Sequence, residues 1–243
     1  MRIEAVVVCV DYADFLEVTL LQLLPAVDAL VVVTSPDDWR TQKLCDKAGV
    51  RVEITTAMHD HGRRFSLGAA VDAGLKSLTL PDWALVLDAD IILPARFHQT
   101  VQHLQLDPMK LYGIDRVHCR GWHSWRRFIS TPAPVLSCEV PFLRDFPVGA
   151  RIRLDGHGYL PCGFFQLWNA AATGYRDYPI HENGTAEGSD MLHAGRFPRQ
   201  YRELIPEIVG IQLETDAATD PIGVNWAGRK TGEFSAEGGP YRR

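Results

Sequence analysis

The sequence has few cysteines, and they show no pattern of a metal site or a disulfide framework. The five residues Cys9, Cys45, Cys119, Cys138 and Cys162 are odd in number, lie far apart and include no Cys-x-x-Cys pair. This spacing argues against a zinc site and against a disulfide-rich secreted scaffold. We therefore expect a protein of a reducing, intracellular compartment, namely the cytoplasm.

Long hydrophobic runs are also lacking. No apolar stretch reaches the roughly 18 residues that a membrane span requires, and the N-terminus lacks the pattern of a signal peptide. The formal net charge is −5 and the isoelectric point is about 6.0, which argues against a surface that binds nucleic acid over its whole extent. We expect no membrane partner, while a local basic patch stays possible within this balance.

Three familiar enzyme signatures are missing. There is no Gly-x-Ser-x-Gly elbow and no Gly-x-Gly-x-x-Gly, so a serine hydrolase and a dinucleotide oxidoreductase lose their usual support. Residues 223–231 approach a P-loop, but Arg229 is one residue too many and no strand or helix is predicted around it. A nucleoside triphosphatase is therefore rejected.

What is present is an alternation of apolar and amphipathic segments. A chain of 243 residues with 46% hydrophobic and 23% charged residues fits one domain with a substantial core. The pattern predicts strands at 3–10, 29–33, 50–54 and 83–88 and helices at 15–24, 66–78 and before Gly49, with Asp14 as the cap of the first. Later elements are a helix near 95–106 and strands near 111–118, 163–168 and 208–213. This order predicts an α/β fold with a doubly wound, mostly parallel sheet.

The end of the fourth predicted strand carries two carboxylates separated by one small residue. Because alternate residues of a strand point the same way, Asp88 and Asp90 would face one cleft while Ala89 leaves room beside them. Hard oxygen ligands of this kind suit Mg²⁺ or Mn²⁺, and ligands of open α/β sheets bind at the carboxyl ends of strands. An ion held there would neutralise a diphosphate as a sugar departs. The alternative is a solvated turn after a buried strand.

The region before these aspartates carries a resemblance. Residues 65–75 and the Asp-Trp pair at 82–83 resemble the segment that precedes the Asp-x-Asp motif in family 2 glycosyltransferases of the GT-A fold. That family usually has Asn-Lys-Gly where residues 66–68 are Ser-Leu-Gly. The resemblance therefore implies that Arg63 or Arg64 binds phosphate in place of the missing lysine, unless no such contact is needed.

The resemblance implies a domain organisation. It covers roughly the first hundred residues well and the rest in short pieces. The implied fold is a single GT-A, Rossmann-like domain at 1–243, with a nucleotide-sugar half at 1–94, an irregular acceptor half at 95–215 and a C-terminal tail at 216–243. The sequence indicates no oligomeric state.

A nucleotide-diphosphate sugar is the implied donor, bound at the ends of the first strands. An acidic residue after the second strand, Asp37 or Asp38, would read the base or ribose, although each is also an ordinary helix-start residue. The helix that begins near residue 66 and the arginines before it form a predicted diphosphate seat, over which the tail would close. The predicted donor residues are Asp11, Tyr12, Thr34, Asp37, Arg63, Arg64, Ser66, Gly68, Asp88, Ala89 and Arg229.

Two later segments supply the predicted catalytic base and the third metal ligand. Asp190, with Glu187 beside it, is similar to the acidic pair that takes the proton of the acceptor hydroxyl in this family. Its alternative is a helix cap. Gln212 stands where many GT-A enzymes carry a metal-binding histidine, and it completes the predicted metal set with the two motif aspartates. His193 is the rival third ligand, or else an active-site or core histidine.

The acceptor is predicted from a segment at 116–128 that interleaves cations with aromatic side chains. Such a surface stacks on sugars, or holds a phosphate backbone beside a flipped base, and the alternative is a partly buried loop whose arginines pair with acids. A soluble glycan, a protein hydroxyl and a hydroxymethylated pyrimidine in DNA all remain open. The predicted acceptor residues are Trp122, Trp125, Arg126, Arg127, Gly163 and Gln166.

Together these patterns predict a metal-dependent glycosyltransferase that uses Mn²⁺ or Mg²⁺ and a nucleotide-diphosphate sugar, with inversion implied by the likeness to family 2. Two other classes stay open. A nucleotidyltransferase would carry a glycine-rich, basic loop after the first strand, whereas residues 9–14 are acidic. A non-catalytic sugar-binding module would explain the missing lysine and histidine.

Overall fold

Strands and helices alternate through the first half of the chain, as the apolar pattern predicts. The computed structural model describes residues 1–62, 65–80, 82–130, 153–154, 158–161, 163–181, 186, 188–215 and 232–238. The strands are β1 (Ile3–Val8), β2 (Ala29–Thr34), β3 (Arg51–Ile54), β4 (Trp83–Asp88), β5 (Ile91–Ile92), β6 (Leu111–Arg120), β7 (Arg153–Leu154), β8 (Gly158–Tyr159), β9 (Phe165–Asn169) and β10 (Arg202–Glu214). The helices are α1 (Ala13–Leu23), α2 (Trp39–Ala48), α3 (Leu67–Lys76), α4 (Phe97–His103), α5 (Trp122–Ile129), α6 (Ala170–Thr173) and α7 (Ser189–Gly195), with 3₁₀ turns at Leu24–Ala26, Asp60–Gly62 and Arg199–Tyr201.

One mixed sheet of eight strands organises the chain, in the order β3-β2-β1-β4-β9-β6-β10-β5. The pairs among β3, β2, β1 and β4 are parallel, and so is the pair of β6 with β10. β9 runs antiparallel to both of its neighbours and β5 antiparallel to β10. The prediction of a mostly parallel α/β sheet is confirmed. Because β6 is parallel to β4, the carboxyl ends of β1, β2, β4 and β6 meet at one edge.

Helices cover both faces of the sheet. Val7 of β1 packs in one apolar cluster with Leu16 of α1 and Phe97 of α4, whereas Val6 packs in another with Val71 of α3. This alternation follows from the opposite directions of successive strand side chains. Full burial of each such side chain contributes about 1.5–3 kcal/mol. The doubly wound arrangement is therefore confirmed.

The first helix begins differently from the prediction. Asp14 is not its cap, because α1 starts at Ala13 and Tyr12 occupies the cap position without a side-chain bond. The Asp14 carboxylate instead accepts the N–H of Phe234 at 2.7 Å, which fixes a C-terminal segment against this helix. The prediction of a cap at Asp14 is wrong because a partner distant in sequence takes the carboxylate.

The predicted helix stop at Gly49 is confirmed, since this residue ends α2 with a φ of 67°. Glycine adopts that left-handed conformation without the steric cost of a side chain.

The last long strand begins earlier than predicted, at Arg202, and shifts register between Ile205 and Val209. Pro206 lies in that shift, and proline has no N–H to donate to a neighbouring strand.

Two findings bear on the expected compartment. In the part of the chain that the structure describes, no helix is long and apolar enough to cross a membrane. Cys9, Cys45 and Cys119 are buried and free, whereas Cys138 and Cys162 lie outside the described residues. The cytoplasmic location stays a prediction.

Candidate active site

The Asp-Ala-Asp motif lies at the carboxyl end of β4 and is held by strands on both sides. The N–H of Asp88 donates to the carbonyl of Phe164 at 3.1 Å, and the N–H of Leu213 donates to the carbonyl of Asp90 at 2.9 Å. Ala89 is buried, and its carbonyl accepts the Thr19 hydroxyl at 2.7 Å. Both aspartates are partly buried. The motif is thus built into the end of the sheet, unlike a solvated turn.

Burial dominates the electrostatics of these two carboxylates. It raises the pKa of Asp88, and the negative charge of Asp90 raises it further, while the charge of Arg116 acts in the opposite direction. Burial also raises the pKa of Asp90, against a hydrogen bond from Gln212 and the charge of Arg116, which lower it. Two adjacent carboxylates in a low-dielectric site disfavour each other's ionised form. A cation between the two carboxylates would favour the ionised form of both and so lower their pKa values.

Two oxygens in this site have no hydrogen-bond donor. Gln212 Nε2 donates to Asp90 Oδ2 at 3.1 Å, but Asp90 Oδ1 and Gln212 Oε1 are buried without a partner. Leaving a buried acceptor unpaired costs about 1–3 kcal/mol, and carboxylate and amide oxygens are ligands of hard divalent cations. The oxygens therefore fit a metal ion. Within the described ranges, no three His, Cys, Asp or Glu side chains group as a metal site, so the candidate set is two carboxylates and one amide.

Asp190, on α7, lies close to Asp88 of the motif. Its Oδ2 accepts the N–H of Gly163 at 2.9 Å, and its negative charge contributes to the raised pKa of Asp88. A Cβ on Gly163 would approach the Asp190 Cβ to 2.9 Å, so glycine permits this contact. Asp190 sits in the first turn of α7, where Gly188 is the cap. The alternative interpretation of Asp190 as a helix cap is therefore wrong.

His193 belongs to the core. Its ring lies 4.4 Å from that of Trp168 and 4.7 Å from that of Tyr178, between centroids, and its side chain is fully buried. Burial lowers the pKa of His193 to about 3, with a smaller contribution from Arg196. The ring is neutral and enclosed by aromatic side chains, which leaves Gln212 as the candidate third metal ligand.

Gln166 is buried, and its amide is used within the protein. Its Oε1 accepts the Tyr178 hydroxyl at 2.6 Å, and its Nε2 donates to the carbonyls of Pro161 at 3.0 Å and Asp190 at 3.1 Å. These bonds fix α7 against β9. Gln166 thus positions the candidate base, and its amide is not available to a sugar hydroxyl.

The loops after β1 and β2 are tied together by Asp38. Its carboxylate accepts the N–H groups of Asp11 at 2.8 Å and Thr41 at 3.1 Å, and the hydroxyls of Thr41 at 2.7 Å and Thr34 at 3.2 Å. Asp11 has a φ of 62°, a left-handed conformation that is uncommon for a residue with a side chain. The Asp38 contact holds it there. Thr34 is used internally in this way.

The remaining predicted donor residues of these loops differ in exposure. Asp37 is exposed. Tyr12 is partly buried, and its ring stacks on Phe15 with 5.5 Å between centroids. The structure thus brings Asp11, Tyr12 and Asp37 to the same sheet edge as the aspartate motif, on the β1–β2 side.

At the start of α3 the predicted phosphate residues have structural contacts. Ser66 is the cap, and its hydroxyl accepts the N–H of Ala69 at 3.3 Å. A Cβ on Gly68 would come within 2.3 Å of the Pro179 carbonyl oxygen and 2.4 Å of Ser189 Oγ, so glycine allows α3 to pack against α7. Four predicted site residues lie outside the described part of the chain, namely Arg63, Arg64, Glu187 and Arg229.

The basic aromatic segment divides into buried rings and exposed cations. Trp125 is buried and stacks on Phe128 with 6.0 Å between centroids, and the partly buried Trp122 meets Phe234 at 5.4 Å. Arg126 and Arg127 are exposed on α5. The Trp125 ring is therefore unavailable for stacking on a ligand, and the two arginines stay predicted acceptor residues.

Arg116 is a site residue that the sequence analysis did not single out. It lies on β6, its guanidinium carbon is 4.3 Å from the centroid of the Phe164 ring, and its charge acts on the pKa of both motif aspartates. The available signal was an arginine that follows Asp115 in a strand at 111–119 whose other residues are mostly apolar. Its proximity to the motif depends on the strand order, which the sequence alone does not reveal.

Comparison with known proteins supports the fold. No protein-family model and no curated protein sequence matches the chain. Glucosyl-3-phosphoglycerate synthase from Mycobacterium tuberculosis in complex with UDP superposes with a TM-score of 0.55 at 17% identity, over 91% of this chain and 73% of that one. Its complex with Mn²⁺, UDP and glucosyl-3-phosphoglycerate gives 0.54 at 17% identity, over 88% and 70%.

A structure described as a mycobacterial protein gives a TM-score of 0.50 at 17% identity, over 88% of this chain and 65% of that one. The chain thus spans slightly less than two thirds of this neighbour. At such identities the likeness shows the fold alone. The protein has the mixed α/β architecture of GT-A glycosyltransferases, which confirms the predicted fold.

Proposed function

We propose that this protein is a metal-dependent glycosyltransferase that moves a sugar from a nucleotide-diphosphate sugar to an acceptor hydroxyl. The observation that carries the proposal is the paired carboxylates at the end of β4, with the unpaired oxygens of Asp90 and Gln212 beside them. A neighbour of the same fold has been crystallised with Mn²⁺ and UDP-glucose, which supports this donor chemistry.

Asp88, Asp90 and Gln212 would hold Mn²⁺ or Mg²⁺. When bound, the ion supplies Lewis-acid stabilisation of the departing diphosphate. The chain prepares the site by burying both carboxylates, which raises their pKa values and makes a cation the natural counter-charge. The Asp11 loop, fixed by Asp38, would bind the nucleoside on the β1–β2 side, with Tyr12 and Asp37 near the base or ribose.

Asp190 is the proposed base. Its Oδ2 is oriented by the N–H of Gly163, and the Gln166 amide fixes the backbone carbonyl of the same residue. A carboxylate so held can accept the proton of an acceptor hydroxyl that comes within hydrogen-bond reach. Direct attack with this base inverts the anomeric centre, so the anomeric configuration of the product, measured by NMR, tests the role. Retention would exclude Asp190 as the base of a single displacement.

A screen of donors is the direct test. UDP-, GDP- and TDP-sugars would be offered with Mn²⁺ or Mg²⁺, with and without chelator, and the released nucleotide identified. We expect nucleoside diphosphate from one donor, abolished by chelator and by Asp90→Asn. Release of pyrophosphate from a nucleoside triphosphate and a sugar phosphate would instead show a nucleotidyltransferase. Donor binding without release under any acceptor would show a sugar-binding module.

The acceptor is open among small hydroxyl compounds, glycans, proteins and hydroxymethylated DNA. Arg126 and Arg127 on α5 are the exposed cations that would serve a DNA backbone. A backbone site predicts acceptor affinity that falls steeply with salt. An unchanged affinity and salt slope in the double variant Arg126→Ala, Arg127→Ala would remove the DNA acceptor.

A further inference from the structure

Arg116 is a partly buried cation that has no paired anion among the residues that the structure describes. Its Nε is buried without a hydrogen-bond partner, and its guanidinium lies 4.3 Å from the Phe164 ring centroid. Among the residues that the structure describes, no carboxylate comes within ion-pair distance of it, although its charge acts on Asp88 and Asp90. A buried donor without an acceptor costs about 1–3 kcal/mol, and more when it is charged. A ligand that supplied the acceptor would remove this cost.

The other two basic side chains on this face of the strand show the contrast. Arg116, His118 and Arg120 alternate along β6 and so share one face. Glu214 on β10 pairs with His118 through Nδ1 and with Arg120 Nε at 3.1 Å. The protein therefore provides an anion for two of the three basic side chains. Arg116, which lies nearest the motif, receives none from the described residues.

The strand order places Arg116 on the acceptor side of the motif. The proposed nucleoside loops follow β1 and β2, and the next strand, β4, ends in Asp88. β9 and then β6 lie beyond β4 on the far side, and Phe164 directly precedes β9. A metal ion on the aspartates would also repel a nearby guanidinium, so an anionic group between the two would satisfy both.

We propose that Arg116 binds a terminal carboxylate or phosphate of the acceptor, which makes the acceptor a small anionic hydroxyl compound. This inference rests on the proposed function, because it assumes that the donor occupies the β1–β2 side. A guanidinium offers two parallel N–H donors to such a group, and Phe164 holds its plane. Its partly buried position fits the compact terminal group of a small molecule better than the backbone of a duplex.

The test is calorimetric binding of glycerol 3-phosphate, with glycerol as the neutral match, to protein saturated with Mg²⁺ and UDP. We expect binding of the phosphate compound only, weakened about tenfold to a hundredfold by Arg116→Gln and less by Arg116→Lys. Arg51→Gln is the matched control. Arg51 is the first residue of β3, at the sheet edge opposite the site. Thermal melting of each variant verifies folding.

Three outcomes would overturn the assignment. The first is equal binding of glycerol 3-phosphate by wild type and Arg116→Gln. The second is no binding of glycerol 3-phosphate by wild type. The third is binding of glycerol 3-phosphate that UDP abolishes, together with a weaker affinity of Arg116→Gln for UDP. The last would assign Arg116 to the donor diphosphate. If no variant binds UDP, the proposed function loses its donor, while phosphate binding that depends on Arg116 in the absence of nucleotide would still support an anion site.

Discussion

Two aspartates at the carboxyl ends of nearby parallel strands have opposite hydrogen-bond environments. Asp38, after β2, accepts four hydrogen bonds, from Asp11, Thr34 and twice from Thr41. Asp90, after β4, accepts one side-chain bond, from Gln212, and keeps Oδ1 buried without a donor. Both residues are acids in a polar turn after an apolar strand. Their sequence contexts are alike, and the difference between them is tertiary.

The comparison separates an acid that builds the site from an acid that is available to a ligand. The oxygens of Asp38 are occupied by loop donors, so its removal would release those donors. Oδ1 of Asp90 accepts no hydrogen bond from the residues that the structure describes, which is the state expected of a metal ligand. The following predictions test whether this distinction holds.

The largest expected effect is on turnover in Asp90→Asn. The amide keeps the shape of the side chain but removes the charge, so we expect at least about a thousandfold loss of nucleoside-diphosphate release, equivalent to about 4 kcal/mol. The melting temperature should stay equal or rise, because repulsion between the two motif carboxylates disappears. Activity within a few-fold of wild type would break the assignment of Asp90 as a ligand.

Asp38→Ala should show the reverse pattern. It leaves the donors of the Asp11 and Thr41 backbone unpaired and removes the cap of α2, which we expect to cost about 3–5 kcal/mol of unfolding free energy. Chemical denaturation measures it. Asp37→Ala, at the exposed neighbour, is the matched control and should change stability little. If both variants unfold at the same denaturant concentration, the four bonds of Asp38 are not what holds the loop.

The sequence predicted the position of Asp88 and Asp90 at the end of β4, because an apolar run followed by acids at i and i+2 depends only on strand periodicity. The proximity of Gln212 to this motif followed from the resemblance. Arg116 belongs to the predicted acceptor segment at 116–128, but its proximity to the motif was missed. In the sheet, β9 lies between β4 and β6 although it comes later in the chain than both. Trp125 and Phe128 have an i, i+3 spacing that is typical of one face of a helix, but the segment was interpreted as a ligand surface or a loop, and the helix α5 was not predicted.

His193 sharpens the comparison, because it too has buried polar atoms without partners but lies among aromatic rings. Burial lowers its pKa from an ordinary value of 6.5 to about 3 in the fold, Arg196 lowers it further, and Asp177 acts in the opposite direction. The unfolded chain therefore binds a proton below pH 6.5 that the native state does not. The contribution of the neutral His193 to the free energy of unfolding should be complete above pH 6.5. It should fall by about 2–3 kcal/mol by pH 4.5.

Urea denaturation of His193→Phe at both pH values checks this assignment. The phenyl ring fits the aromatic shell and carries no proton, so the histidine's share of the acid loss should vanish. An identical pH dependence in the variant and the wild type would show that other groups cause the loss. The unpaired nitrogens of His193 would then need another explanation than burial in a neutral form.

The smallest effect is expected at Gln212, whose amide donates to Asp90 and is the candidate third metal ligand. Gln212→Ala removes one ligand oxygen and the hydrogen bond to Asp90, and we expect Mn²⁺ affinity to fall about tenfold. Gln212→Glu replaces the amide by a carboxylate, so its affinity should equal or exceed that of wild type. Titration calorimetry with Mn²⁺ measures both. Equal affinity in all three proteins would restrict the site to Asp88 and Asp90, and the unpaired Gln212 oxygen would then be a structural cost without a ligand.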